Sequence, residues 1–531
     1  MHASPTECET IARRVGFERT ADGIARGRAR VSPPARSDRA TRVIDVADAA
    51  KRPRTSQSGR TRTPFQHQLG VRYALLATAT ATSLVVMFAS RRAMLSVGWV
   101  LAAGVVCGAL VVLEQRRPRI GIRPVAVAVG LVLLVAVVTP SRSSNDLWSY
   151  TMYGRTVTVH HANPYRRVPA DYPSDPFLTR VSPRWRHTGS VYGPLFVAVA
   201  SAGSFVASDS ALASRLFFQL LAALALTAIL LVVWRRTRSP SAVLWLGLNP
   251  VLGVIVVNGG HNDAFVGLAL LLVALLVARG RGCAAGLTVG LAMLIKLSAG
   301  LGLIGAVLWS WQHHQRRLAM TVAVAAGSVV ALGYLPVLAG ASDVLGGADK
   351  TVTKASPWNL LVDRILHHDA GRNVPIPLAP NTTLSVVFYI STTTVLLLAL
   401  GLGSRAARHR RPEPAIAVAV SSYTMAGEYT FPWYAIWALP LLATRRLSGV
   451  AWIVWIQSIV MLAALRLPDS VTGNALHTTV RTILTMVAPA ALLIAFIVAV
   501  LKEQAQIPAP DAELQAMDAG QVAVAEQPVG V

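Results

Sequence analysis

The sequence is dominated by apolar runs of roughly 17 to 25 residues that recur between Val71 and Leu501, and each could cross a hydrocarbon layer of about 30 Å as a helix. Transmembrane strands would need alternating polarity, which these runs lack. Of the 531 residues, 53% are hydrophobic and 14% are charged, which is more apolar surface than a water-soluble core buries. The sequence therefore predicts an all-α polytopic membrane protein.

The formal net charge is +25, and the arginines lie in the N-terminal tail and in short loops beside the apolar runs. This distribution is typical of membrane topology and not of a nucleic-acid-binding surface. The cysteines Cys8, Cys107 and Cys283 show no spacing of a disulfide framework or a zinc site. We therefore expect the lipid bilayer as a partner, no nucleic acid and no redox chemistry.

Three regions follow from the composition. Residues 1–70 are rich in Arg, Ser, Pro, Thr and Ala and are predicted to form a disordered basic cytoplasmic tail, because they bury too little apolar surface to repay ordering entropy. Residues 71–501 form the predicted membrane domain. Residues 502–531 are predicted to be a short disordered tail.

Charge also predicts topology. With the tail in the cytoplasm, spans at about 71–89, 93–113 and 122–140 place the loop 141–190 on the outer side. The later basic clusters all reach the cytoplasm only if the chain makes one net crossing between residues 191 and 234. The site of the chemistry is then expected on the outer face of the inner (plasma) membrane.

The segment 191–207 is short, contains Gly and Ala, and begins with Tyr192-Gly193-Pro194. We predict that it is re-entrant or lies in the interface, within a bundle of about 12–14 spans. Four polar pieces then share the outer face: the large loops 141–190 and 340–380 and the turns 259–263 and 428–434.

One apolar stretch, from Cys283 to Trp311, is interrupted by Lys296, Ser298 and Gly300. This pattern predicts two half-length helices that meet partway through the bilayer. An ionisable group inside a span is costly, which makes Lys296 a functional candidate. The alternative is a structural pairing with Asp263 or with carbonyls freed at the break.

The first outer loop begins with an acidic residue, Asp146. Ser144 or Asn145 is placed to cap a short amphipathic helix lying on the membrane, which would fix Asp146 at the lipid–water boundary. The side chains expected to face lipid are Leu147, Tyr150, Met152 and Tyr153. The alternative role for Asp146 is a favourable charge at a helix N-terminus.

A series of polar and turn motifs continues from this point. In chain order they are Asn163-Pro164, Asp171, Asp175, His187, Tyr192-Gly193-Pro194, Arg215, Asn249-Pro250, His261-Asn262-Asp263 and Lys296. Together they resemble the GT-C glycosyltransferases of actinobacterial cell envelopes, specifically the polyprenyl-phosphomannose-dependent mannosyltransferases of glycosyltransferase family 87 and the α-1,6-mannosyltransferases. The resemblance covers roughly residues 125 to 445.

This resemblance implies a GT-C-like fold and a glycosyltransferase that moves a sugar, mannose by the resemblance, from a polyprenyl phosphate donor to an envelope glycan or glycolipid such as lipomannan. It also implies that Asp146 is the catalytic base. The chemistry agrees, because a polyprenyl phosphate leaves as a stabilised anion and the acceptor hydroxyl needs a carboxylate to take its proton. A β-linked donor and an α-linked product would make the reaction a single inverting displacement.

Positive groups are needed to hold the departing phosphate. The candidates are Arg155, Arg215, Lys296, Lys350 and Lys354. Arg215 near the outer start of its span has an alternative role as a topological anchor.

Sugar hydroxyls or the acceptor need hydrogen-bonding and aromatic groups. The candidates are Tyr150, His187, Tyr192, His261, Asn262, Asp263 and Glu428. Asn262 and Asp263 have an alternative role as a polar helix cap. Most aromatics of the turn 428–434 are expected to belong to an interfacial aromatic belt, and the alternative is that they stack on sugar faces or line the lipid entrance.

The sequence does not favour a metal site. His160, His161 and His187, with Asp146 and Asp263, contain ligand types but no fixed ligand spacing. The sequence therefore predicts no cofactor, with a divalent metal as the lesser alternative.

Two other functions fit a multi-span chain. A transporter or lipid flippase of envelope precursors would use the break at Lys296 as part of a substrate path, but no internal repeat is visible. A non-catalytic scaffold would tolerate changes at Asp146. The sequence has no Asp-x-Asp motif in a fitting context, which favours a lipid donor over a nucleotide sugar.

Overall fold

The computed structural model describes residues 64–89, 93–142, 144–340, 352–362, 380–468 and 475–505. These residues form helices, turns and loops without a strand. The two predicted disordered tails lie outside the described residues, apart from their edges at 64–70 and 502–505, as do Lys350 and most of the 340–380 loop.

The helices follow the apolar runs. They are α1 Pro64–Phe88, α2 Met94–Arg116, α3 Ile122–Val138, α4 Asp146–Thr158, α5 Pro194–Ala207, α6 Ala211–Thr237, α7 Pro240–Gly247, α8 Asp263–Val277, α9 Gly282–Met293, α10 Gly300–Gln312, α11 Arg316–Tyr334, α12 Pro380–Ala406, α13 Glu413–Ala426, α14 Leu439–Leu442, α15 Gly449–Leu465, α16 Ala475–Thr482 and α17 Ala488–Ala505. Short 3₁₀ or π turns occupy Pro169–Asp171, Leu178–Arg180, Pro183–Trp185, Pro250–Val256, Leu297–Ala299, Leu335–Gly340, Pro432–Trp437 and Ile483–Val487.

Six of the described helical stretches are long and apolar enough to cross a membrane: Gln68–Phe88, Met94–Arg116, Ala211–Thr237, Arg316–Val337, Leu384–Ala406 and Ala475–Glu503. Large apolar side chains remain exposed on such helices, for example Leu95 on α2 and Leu332 on α11. In water such surface would be unfavourable, whereas lipid solvates it. The predicted class, an all-α polytopic membrane protein, is confirmed.

Six further apolar helices have 10–17 residues, α5 among them. With 14 residues at 1.5 Å each, α5 is about 21 Å long, which is short for a full crossing. The re-entrant placement of 191–207 and the total of 12–14 spans stay predictions.

The predicted helix break at Lys296 is present. Helix α9 ends at Met293, a 3₁₀ turn covers Leu297–Ala299, and α10 begins at Gly300. Backbone N–H groups of Gly193 and Leu195 donate hydrogen bonds to the carbonyls freed at the break. Gly193 N donates to Ile295 O at 3.0 Å. Leu195 N donates to Leu294 O at the same distance. Because lipid offers no hydrogen bonds, partners from within the protein allow a helix to break there.

Helix α4 lies inside the protein. The prediction that its side chains face lipid is wrong, because all ten residues from Leu147 to Thr156 are buried. They pack against α5, α6 and the outer loop in a cluster with Phe177, Phe196 and Phe218. The close approach of α4 to α5 depends on Gly154, where a Cβ atom would lie 2.2 Å from Ala200 O.

Gly193→Ala is expected to destabilise the protein by about 2 kcal/mol or more, since a Cβ atom there would lie 2.3 Å from Leu294 O. Thermal unfolding in detergent measures the change. Gly121→Ala is the matched control: Gly121 is also a helix N-cap residue with extended backbone, and a Cβ atom there meets nothing within 4 Å. Equal melting temperatures for the two variants would contradict the tight contact.

Candidate active site

Asp146 and His261 come together although 115 positions separate them in the sequence. Asp146 is the first residue of α4, and its backbone N–H donates to Ser144 Oγ at 3.1 Å. His261 Nδ1 lies 3.5 Å from Asp146 Oδ2, a contact longer than a hydrogen bond. The Asp146 side chain is 26% exposed, whereas that of His261 is fully buried. The structure therefore brings together two groups that the sequence placed on one face, and the assignment of that face to the outer side of the membrane stays a prediction.

The segment His261-Asn262-Asp263 lies in the turn that opens α8, as predicted, and all three residues are buried. Burial and, second, the charge of Lys296 lower the pKa of His261 to about 3, so its imidazole is neutral at physiological pH. Both ring nitrogens of His261, both amide atoms of Asn262 and Asp263 Oδ2 have no hydrogen-bond partner among the described residues. Unsatisfied buried polar atoms are costly and cluster at functional sites.

Lys296 reaches this cluster from the helix break. Its Nζ donates to Asp263 Oδ1 at 2.8 Å, and the same oxygen accepts from Trp437 Nε1 at 3.0 Å. The ammonium group also lies 4.1 Å from the ring centre of Tyr434 and 5.2 Å from that of Trp437, at cation–π distance. The structural pairing with Asp263 is thus present, and 17% of the Lys296 side chain remains exposed.

The aromatic residues of the late turn build one wall of the site. Trp433 stacks on His261 with centroids 4.1 Å apart, and on Phe431 at 4.6 Å. Trp433 and Tyr434 are 7% and 5% exposed, so the expected assignment to an interfacial belt is wrong for these two. They contact the functional candidates instead of the bilayer surface.

Tyr150 and Tyr192 tie α4 to the helix break. Their rings meet edge to face with centroids 5.0 Å apart, and Tyr150 also packs on Phe196 at 4.8 Å. Tyr150 is 1% exposed, so its ring lies inside the protein and packs behind Tyr192. Tyr192 is only partly buried and lies nearer the surface.

Arg155 lies in a different environment. Its Nε donates to Asp175 Oδ2 at 2.8 Å and its Nη1 lies 2.8 Å from Asp209 Oδ1. His160 Nε2 also contacts Asp175 Oδ2, at 2.9 Å. This ion-pair network closes the folded outer loop onto the start of α6. Among the described residues, no group of three or more His, Cys, Asp or Glu side chains is arranged to hold a metal ion.

Arg215 is directed to the end of α3. Its Nη1 donates to Thr139 O at 2.6 Å and to Gln219 Oε1 at 3.0 Å, and the residue is 9% exposed. The structure therefore places Arg215 against the end of α3, where the loop that leads to Asp146 begins.

The remaining candidates lie at the edges. Glu428 accepts a hydrogen bond from Ser391 Oγ through Oε2 and is 7% exposed. The segment that carries Lys354 joins this turn, because Thr353 N donates to Glu428 O at 2.9 Å. His187 is exposed on the outer loop. The phosphate, sugar and acceptor roles of all these residues stay predictions.

Sequence reasoning missed several members of the cluster. Trp437 was not a candidate and the turn with Trp433 was assigned mostly to an aromatic belt, although the dense aromatic sequence from Phe431 to Trp437 could have indicated both. Tyr429, in the same turn, was not linked to Asp146: burial, and after it the negative charge of Asp146, raises the pKa of Tyr429, which indicates that its phenol feels the charge of that carboxylate. Arg184 lies 5.7 Å from the Tyr429 ring.

Asp175→Asn is expected to destabilise the outer loop at neutral pH by up to about 3 kcal/mol, because Arg155 loses one of its two carboxylate partners. Burial alone would raise the pKa of Asp175, but hydrogen bonds from Phe177 N–H, Arg155 and His160 lower it below the ordinary value. A lowered folded-state pKa contributes stability above about pH 3.9, and this contribution is lost as pH falls through the folded pKa.

Melting temperatures in detergent between about pH 5 and pH 2 should therefore fall more steeply for the parent than for Asp175→Asn. The control is Asp209→Asn, which removes the other partner of Arg155 but an exposed one, and should change stability little. Parallel pH profiles for the parent and Asp175→Asn would contradict the ion-pair interpretation.

Known proteins resemble part of this chain. Residues 57–313 match the family described as alpha-(1->6)-mannopyranosyltransferase, N-terminal domain. Alpha-(1->6)-mannopyranosyltransferase A of Corynebacterium glutamicum is 29% identical over 177 residues, which cover 32% of this chain and 35% of that protein. The protein of the same name in Mycobacterium tuberculosis is 27% identical over 232 residues, 38% of this chain and 44% of that protein.

A probable alpha-(1->6)-mannopyranosyltransferase of Mycolicibacterium smegmatis is 27% identical over 207 residues, 37% of this chain and 35% of that protein. The chain thus spans less than half the length of these curated relatives. The matched region contains Asp146, His261 and Lys296. Residues 57–313 are therefore similar to the N-terminal part of the actinobacterial α-1,6-mannosyltransferases, the proteins that the sequence motifs resemble.

Proposed function

We propose that this chain is a membrane mannosyltransferase that moves mannose from a polyprenyl phosphate donor to an envelope glycan or glycolipid, such as the α-1,6-linked core of lipomannan. One observation carries the proposal: within the region that matches the family, the Asp146 carboxylate is partly exposed beside His261, whose turn also carries Asp263, the ion-pair partner of Lys296.

Asp146 is the best-placed general base of this cluster. Asp263 is 1% exposed and is engaged by Lys296 and Trp437, and Glu428 is 7% exposed and bonded to Ser391. Only Asp146 combines a partly exposed carboxylate with a position at the edge of the polar cluster. A general base must come within hydrogen-bond reach of the proton it takes, which requires such access.

The proposed reaction is one inverting displacement. The acceptor hydroxyl oxygen attacks C1 of the mannose and forms the new glycosidic bond, while Asp146 takes the hydroxyl proton. The C1–O bond to the donor phosphate breaks, and the polyprenyl phosphate leaves with the electron pair. A single essential carboxylate is sufficient for this stereochemistry when the leaving group needs no proton.

Lys296 is the proposed ligand of the departing phosphate. Its ammonium group is held by Asp263 on one side and by the rings of Tyr434 and Trp437 on the other, and part of the side chain remains exposed. This arrangement supports a fixed positive charge close to the reacting atoms, which is how preorganised electrostatics lower a barrier. Lys354 is a second candidate from the segment beside Glu428.

Tyr192, His187 and Glu428 remain proposed contacts to sugar or acceptor at the rim of the site. His261 and Asn262 are closed from solvent, so their proposed part is to complete the site behind Asp146.

Charge distribution supports the proposed location. Arg279 and Arg281 flank the turn between α8 and α9, and Arg316 and Arg317 begin α11. The positive-inside rule puts these loops in the cytoplasm and hence Asp146, at the opposite helix ends, on the outer face of the inner membrane.

Asp146→Asn is expected to lower mannose transfer in membranes by about 10²- to 10⁴-fold, because the amide cannot accept the proton. Labelled polyprenyl-phosphate mannose and a glycolipid acceptor measure this rate. Asp171→Asn is the matched control, since Asp171 lies on the same outer loop with an exposed carboxylate and should leave the rate unchanged. Full transfer by Asp146→Asn would remove the base assignment, and transport of label without glycan product would favour a transporter.

Orientation is tested with single cysteines in a chain lacking Cys8, Cys107 and Cys283. A cysteine at exposed position 171 should react with a membrane-impermeant maleimide from the outside of intact cells. A cysteine at exposed position 281 should react only after the cells are opened. The reverse pattern would place the active site in the cytoplasm.

A further inference from the structure

The C-terminal end of α3 leads directly to Asp146, and its last carbonyl groups lack the N–H donors that a further helical turn would supply. Three buried side chains donate hydrogen bonds to these carbonyl groups instead. Thr139 O accepts from all of them: from Arg215 Nη1 at 2.6 Å, from Gln219 Nε2 at 3.2 Å and from Asn258 Nδ2 at 3.2 Å. One carbonyl oxygen thus joins α3 to α6 and to the segment before α8.

The three side chains also bind one another and the neighbouring backbone. Arg215 Nη1 donates to Gln219 Oε1 at 3.0 Å, and Gln219 Nε2 donates to Asn258 O at 2.8 Å. Asn258 Nδ2 donates to Pro140 O at 3.2 Å. A network in which each member is held by the others fixes geometry better than isolated bonds do.

The network continues along the loop toward the carboxylate. Asn258 Oδ1 accepts from Arg142 N at 2.9 Å. Ser141 Oγ then donates to Ser144 O at 2.8 Å, and Ser144 Oγ accepts from Asp146 N at 3.1 Å. A connected series of hydrogen bonds therefore runs from α6 to the first residue of α4.

Asn258 also lies three residues before His261 on the same turn. The segment that holds the Asp146 loop is thus the segment that presents the imidazole, 3.5 Å from Asp146 Oδ2. Movement of Asn258 relative to α3 would separate the two groups. The network accounts for their proximity across a long stretch of sequence.

The position of Arg215 argues against the phosphate contact expected for it. The residue is 9% exposed, and its Nη1 is directed at carbonyls of a helix C-terminus, where the helix dipole already favours a cation. Nη1 is thus already engaged by carbonyl groups, and a phosphate could reach only the other guanidinium nitrogens of a side chain that is largely buried. Lys296, by contrast, lies within the cluster of Asp263 and the late aromatic turn.

We propose that Arg215, Gln219 and Asn258 are positioning residues that hold the Asp146 loop against the His261 turn, and that Arg215 is not a ligand of the donor phosphate. The kinetic part of this inference rests on the proposed function. Its structural part does not.

The test uses the full chain with Arg215→Met, Gln219→Met or Asn258→Leu, each of which removes the side-chain donors at similar size. Each variant is expected to lower kcat by roughly 10- to 100-fold, because small displacements of a reacting group are costly. The donor KM and the Kd for undecaprenyl phosphate should stay within about twofold of the parent, since no phosphate contact is lost. Hydrogen exchange of the amides in residues 139–148 should become faster.

Arg215→Lys should recover part of kcat, because the ammonium group can still donate to Thr139 O. Arg167→Met is the control arginine variant: its side chain is 64% exposed on the outer loop, and it should leave kcat, Kd and exchange unchanged. Gln219→Met keeps the charge of Arg215 and so provides a second measurement if Arg215→Met fails to fold.

Two results would overturn the inference. One is a rise of about tenfold or more in the Kd for undecaprenyl phosphate in Arg215→Met with unchanged exchange in 139–148, which would make Arg215 a phosphate ligand. The other is unchanged exchange and unchanged kcat in all three variants. If the parent transfers no mannose, the proposed function fails while the exchange measurement still decides the positioning role.

Discussion

Freed backbone carbonyls in an apolar solvent are the constraint on which this structure depends. Where a helix ends or breaks inside a membrane domain, lipid offers no hydrogen bonds, so the protein must supply the donors. Two such places lie beside the candidate site. At the end of α3 the donors are side chains of Arg215, Gln219 and Asn258, and at the break before α10 they are the backbone N–H groups of Gly193 and Leu195.

These two sets of hydrogen bonds bring the candidate functional groups together. The first places Asp146 at the start of α4 and His261 beside it. The second places Lys296 at a helix break, from which its ammonium group reaches Asp263. Tyr150 and Tyr192 connect the two places through their edge-to-face contact. The site is thus a consequence of how interrupted helices satisfy their backbones.

Charge pairing divides the basic candidates into two groups. Arg155 and Arg215 are engaged with Asp175 or with helix-end carbonyls and stabilise the outer loop and the α3 end. Lys296 is paired as well, but within the cluster that contains Asp146 and with part of its side chain open. Under the proposed function the departing phosphate needs a nearby cation, and of Arg155, Arg215 and Lys296 it is Lys296 that lies within this cluster.

The sequence by itself determined the membrane class, the helix break at Lys296 and the opening of α4 and α8 by Asp146 and by His261-Asn262-Asp263. These features are local: apolar run length, an interrupting lysine and polar residues at helix starts are written in consecutive positions. The distribution of basic residues also predicted that Asp146 and His261 lie on the same side of the membrane. Only the tertiary structure decided that α4 is buried, that Trp433 and Tyr434 line the site, and which partner each arginine takes. The physical reason is that a side chain's partner is whichever carbonyl, carboxylate or ring lies within about 3 to 5 Å after packing, and sequence spacing does not contain that distance.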